Sequence, residues 1–175
     1  VIKPKVNIVR KSNVGELEGQ DYVRHDLALS IGLDTLFSTS SPFYEKLYET
    51  EVIDESFGYH FTLERSFNFV SISTDTYEEE KFINEVERQL AQIQLKDDEV
   101  ERIIRRRLGH FVRALNSPEF IANQFTQYAF AGASLFDVYD ILQTLTVEDV
   151  EKALKTIVDV KQQSVFVIEP KEEDV

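Results

Sequence analysis

The chain has 175 residues, 32 of them acidic and 19 basic, giving a formal net charge of −13. That length suits one domain, and 13 Phe with 7 Tyr supply large apolar units for a real core. So acidic a chain repels phosphate backbones, which argues against a nucleic-acid partner, and no apolar run is long enough to cross a bilayer, so no membrane is expected.

Val6 and Ile8 alternate with polar neighbours and predict a first strand, with Pro4 tolerable at its start. The same alternation over Val1 to Arg10 is unlike a secretory leader. Residues 12–20 read as a polar loop. From Tyr22 to Phe37 the apolar positions favour a buried helix. Ser41-Pro42 restarts helix, since Ser caps free amides and Pro suits the first turn.

Tyr59, Phe61 and Leu63 alternate, as do Phe67, Phe69 and Ser71, with Glu64-Arg65-Ser66 between them as a hairpin turn. Asp75-Thr76 with Glu79 predicts a capping box for a helix carrying Phe82, Val86, Leu90 and Ile93. Asp97-Asp98-Glu99 opens another helix, with Val100, Ile103, Ile104, Leu108, Phe111, Val112 and Leu115 at helical spacing. Ser117-Pro118-Glu119 begins a third, through Phe120, Ile121, Phe125 and Tyr128, ended by Gly132. A short helix is expected over 134–142, and Thr146 to Asp149 caps a last one bearing Val150, Leu154 and Ile157. Val165 to Ile168 closes as an apolar strand before Pro170, and 171–174 form an acidic tail. Strands so few and scattered predict an α+β fold, an antiparallel or mixed sheet with helices on one face.

The chain contains no cysteine, hence no disulfide framework, thiolate metal site or thiol nucleophile, in keeping with a reducing, cytoplasmic setting. His25, His60 and His110 lie far apart, and none has a second His three or four residues away. A helical zinc site needs that spacing, so no metal ligand and no catalytic residue is assigned. Glu78-Glu79-Glu80 and Asp97-Asp98-Glu99 read as first-turn carboxylates facing the helix dipole. No glycine-rich phosphate loop and no Gly-x-Ser-x-Gly nucleophile motif occurs. Arg102, Arg105, Arg106 and Arg107 read as a solvated face pairing with Glu99 and Glu101; the alternative is an anion, a peptide carboxylate or a partner domain. Tyr59 follows Gly58 at a strand start beside an acidic loop. Its phenol could donate to a peptide carbonyl, or its ring could simply serve cross-strand contact.

The order of segments resembles the zinc-free, C-terminal half of the insulinase, pitrilysin and mitochondrial-processing type of zinc metallopeptidase. Ser41, Phe43-Tyr44, Leu47 and Tyr48-Glu49, then Phe57-Gly58-Tyr59, follow the helix, loop and strand start of that half. The Asp75-Thr76 helix start, the acidic-then-basic run from Asp97 to Arg107, Leu145 to Val150 and the Val165 to Pro170 strand continue it. The resemblance implies one non-catalytic domain over 1–175, a piece of a longer chain, as the start at Val1 and the absence of Met suggest. It implies a companion domain or homologous subunit bearing zinc, with a peptide substrate enclosed between the halves. By position Tyr59 would be the family's substrate-contacting tyrosine, while Tyr48 stands where the family has an arginine. Tyr48-Glu49 and the Ile53 to Phe57 loop look closer to a bacterial subgroup. The rival expectation is a non-enzymatic scaffold or binding subunit from a degenerate homologue.

Overall fold

The early alternation becomes strand β1, Lys5–Lys11, whose Val6, Ile8 and Arg10 point inward. The structure is a computed structural model describing residues 2–64 and 67–170; Arg65, Ser66 and the acidic 171–174 lie outside the described residues. Helix α1 spans Gly19–Phe37 and α2 spans Pro42–Glu49. The hairpin strands are β2, Gly58–Leu63, and β3, Asn68–Asp75. Helices α3, Glu79–Ala91, α4, Asp97–Ala114, and α5, Pro118–Phe130, follow. Then come α6, Asp137–Thr144, α7, Val147–Lys155, a 3₁₀ turn at Val160–Gln162 and β4, Gln163–Ile168. The strands form one antiparallel sheet in the order β2-β3-β1-β4, as an α+β fold requires.

The described residues fall into two compact units, each assembled from separate stretches of chain. The first, within Val1–Asn13, Leu36–Ile93 and Ile157–Val175, holds the whole sheet with α2 and α3. Its core joins Val6, Ile8, Val70 and Ile72 of the sheet with Leu47 of α2 and Phe82, Val86 and Leu90 of α3. The second, Val14–Thr35 with Gln94–Thr156, holds most of α1 and helices α4 to α7. Its buried residues include Leu27 and Ile31 of α1, Ile103 of α4, Ile141 and Leu142 of α6, and Val150 and Leu154 of α7.

Three caps form as the sequence predicts. Ser41 Oγ accepts the Tyr44 amide at 3.1 Å, Ser117 Oγ accepts that of Phe120, and Thr146 with Asp149 closes a full capping box. Helix α5 ends in a left-handed Gly132 at φ +69°, whose neighbours return the Ala133 and Gly132 amides to the Tyr128 and Ala129 carbonyls.

Elsewhere the chain departs from expectation. The capping box at Asp75-Thr76 is absent, because Asp75 is the last residue of β3 and pairs with Lys5. Thr76 Oγ1 instead accepts the Glu78 amide, and α3 starts without a side-chain cap. Val112 is half exposed, as it lies one residue past Phe111 and so about 100° around the helix from the buried face. Phe125 is also exposed, and α5 buries only Tyr128. Strand β4 is an edge strand, so its apolar run from Val165 to Ile168 remains accessible.

Candidate functional site

In the first unit, a folded loop delivers Tyr59. Helix α2 ends in a Schellman motif whose left-handed residue is Glu51, at φ 56°. The Val52 and Glu51 amides return to the Leu47 and Tyr48 carbonyls, and Val52 and Ile53 are buried as anchors. Asp54 then accepts the Ser56 amide at 2.9 Å and pairs with Lys3 at 2.8 Å. Ser56 Oγ accepts the Asp75 amide at 2.7 Å, tying the loop to β3. What reads in sequence as an acidic loop is therefore a hydrogen-bonded clamp that fixes the register of Phe57-Gly58-Tyr59.

Tyr59 pairs with Ile72 and Ile72 with Ile8, so its side chain lies on the inward face of the sheet. It is half-buried, its ring 6.0 Å from that of Phe37. Phe37 meets Phe43 at 5.0 Å, Phe43 meets Phe57 at 6.0 Å, and Phe57 meets Tyr44 at 5.7 Å. Tyr48, 44% exposed, stacks on Tyr44 at 5.5 Å. Tyr59 and Tyr48 thus stand at the two ends of one run of touching rings. The intervening Phe37, Phe43, Tyr44 and Phe57 carry no site motif in the sequence, and their aromatic density is the one signal for the run. Beyond Tyr59, no described strand pairs with the outer edge of β2.

In the second unit, a cleft of about 460 Å³ opens among α1, α4, α5 and α6. Phe111, Phe120 and Leu142 line its apolar part, and Arg106, Arg107, His110 and Asp34 its polar part. Arg106 and Arg107 donate to the same oxygen of Asp34, at 3.2 and 2.9 Å. The expected pairing with local acids holds for Arg105, which meets Glu101, but Arg106 and Arg107 reach across to α1 instead.

Asp26, also on α1, accepts a hydrogen bond from the Tyr128 hydroxyl and faces Arg107. Burial pushes its carboxyl up to about 6, although Arg107 and Tyr128 both pull it down. Burial and Asp26 likewise raise the Tyr128 phenol. A raised carboxyl binds its proton more tightly folded than unfolded, so its contribution is full below about pH 4 and is lost as pH climbs to about 6. Asp26→Asn should therefore match the parent in acid and become more stable above pH 6, by at most about 3 kcal/mol at 1.4 per pKa unit. Urea unfolding across pH checks this; a gap independent of pH would refute it.

The three histidines do not converge. His60 is on β2, His25 on α1 and His110 on α4, and burial lowers the His25 imidazole. Among the described residues no three His, Cys, Asp or Glu side chains are grouped to hold a metal ion. The described residues therefore do not fit a zinc site. Nor, among the described residues, is any helix long and apolar enough to cross a membrane.

A four-stranded antiparallel sheet with α2 and α3 in one unit, and helices in the other, make an α+β architecture. No family model matches the chain. It is 36% identical over 170 residues to the uncharacterised zinc protease YmfH of Bacillus subtilis, a match covering 96% of this chain and 40% of that protein. A crystal structure of an M16-like peptidase from Alicyclobacillus acidocaldarius matches with a TM-score of 0.88 and 22% identity, over 98% of this chain and 42% of that one. The inactive peptidase domain of a zinc protease from Bordetella parapertussis matches with a TM-score of 0.77 and 16% identity, over 100% and 95%. The resemblance read from the sequence is borne out: over nearly its whole length this chain is similar to part of a zinc protease, and its fold is that of an M16-like peptidase half. It spans about two fifths of the length of the curated relative it matches.

Proposed function

We propose that this chain is the zinc-free, C-terminal half of a zinc-dependent peptidase, and that it helps enclose and position a peptide substrate. The observation that carries the reading is the match to a zinc protease over 96% of this chain and only 40% of that protein. A metal would then be held by the companion half, and this half would supply surface. The outer edge of β2, with Tyr59 beside it, suits an extended peptide added as a further strand. The Tyr59 hydroxyl is the group able to donate to a peptide carbonyl there. Tyr48, stacked on Tyr44, offers a phenol in place of a guanidinium and cannot stabilise developing negative charge by a full positive charge.

That substitution is what favours the second reading, a scaffold or binding subunit. Peptide hydrolysis by the intact protein with and without a chelator separates the two. Activity lost on chelation supports the peptidase, and no activity with fully loaded metal supports the scaffold. Tyr59→Phe should lower kcat/KM about three- to tenfold, the worth of one neutral hydrogen bond. Unchanged kinetics would remove Tyr59 from the site.

A further inference from the structure

We propose that the cleft of the second unit binds the C-terminal residue of a peptide, its carboxylate held by Arg106 and Arg107 and its apolar side chain seated against Phe111 and Phe120. The inference rests on the peptide-handling role above and adds an anchoring site distinct from Tyr59.

Charge is the first argument. In a chain of net charge −13, the cleft lining sets two guanidiniums against the single carboxylate of Asp34. Asp26 also faces Arg107, but it is bonded to Tyr128 and does not line the cleft. Each guanidinium carries five N–H donors in a planar fork. Arg106 and Arg107 each spend one on Asp34, and the buried Nε of Arg107 has no acceptor. A carboxylate entering the cleft would accept from the guanidinium donors that Asp34 does not take.

Volume and polarity are the second argument. About 460 Å³ falls within the range of small-ligand sites and admits a terminal apolar residue with part of its neighbour. Gln124, at the same cleft, donates its amide N–H to Gln127, which leaves its carbonyl oxygen to accept the backbone N–H of that terminal residue. A fatty acid has a carboxylate and an apolar stem but no such donor, so the peptide is the better match.

The test is a calorimetric titration of the intact protein with N-acetyl-Ala-Ala-Phe-Leu, as the free acid and as the C-terminal amide, with decanoate as a third ligand. The acid should bind at least tenfold more tightly than the amide and more tightly than decanoate. Arg107→Gln should erase the preference for acid over amide. Ala114→Phe, which fills the cleft and leaves every charge in place, should abolish binding. Equal binding of acid and amide, no binding of either, tighter binding of decanoate, or undiminished binding by Ala114→Phe would each overturn the proposal. Failure here alongside a turnover loss in Tyr59→Phe would remove this anchor and leave the peptidase reading standing.

Discussion

Phe37→Ala is expected to cost about 3–5 kcal/mol, the usual penalty for emptying a fully buried phenylalanine site. Phe37 has no accessible surface and touches the rings of both Phe43 and Tyr59. It sits at the last turn of α1, where the chain enters the sheet-bearing unit, so the surroundings have little freedom to collapse into the void. For a protein of this size the loss corresponds to roughly 6–20 °C in Tm. Phe37→Leu conserves most of the volume and should cost less than about 1.5 kcal/mol. Phe130→Ala, at a ring 79% exposed, should fall within about 0.5 kcal/mol of the parent. Denaturant unfolding of the three variants checks the ranking. A Phe37→Ala variant as stable as Phe130→Ala would mean that Tyr59 is not supported from beneath by that ring. The same substitution also removes a ring 6.0 Å from that of Tyr59, so the Tyr59 rotamer should broaden even where the fold survives.

What the sequence made legible was local. Ser41-Pro42, Ser117-Pro118 and Thr146 to Asp149 signal helix starts because donor and acceptor lie within three residues of each other. Alternation gave β1 and the hairpin, and it placed Tyr59, Phe61 and Leu63 on a common face. Which face that was depended on Ile72 and Ile8, and so on pairing between distant segments. The same distance hid most of the cleft. Arg106 and Arg107 have acids on their own helix, yet they pair with Asp34, more than seventy residues away. Nothing local to Asp26 signals its role, since Tyr128, which donates to it, lies about a hundred residues further along the chain. Asp75 failed as a cap for a related reason. A residue that could begin a helix was already committed to the sheet and to Lys5.

Gly32→Ala is the second large effect, and its sign runs against propensity. In the interior of an exposed helix, replacing Gly by Ala gains about 1 kcal/mol by restricting the unfolded chain. Gly32 is inside α1, and a Cβ built there would lie 2.6 Å from Leu154 Cγ and 2.9 Å from both of its methyl carbons. Leu154 on α7 is itself fully buried, so the crowded atoms are a branch point and both its ends rather than one flexible tip. The overpacking should outweigh the propensity gain and leave Gly32→Ala about 1–3 kcal/mol less stable. A double-mutant cycle with Leu154→Ala isolates the cause. Leu154→Ala alone should cost about 2–5 kcal/mol. With that side chain gone, Gly32→Ala should become neutral or favourable, giving a coupling of at least about 1 kcal/mol. Additive losses would show instead that Gly32 is required for a backbone reason and that α1 and α7 do not meet as closely as the Cβ distances imply. A glycine in a helix interior is ordinarily a weak point, whereas here it is where α1 leaves room for Leu154 of α7.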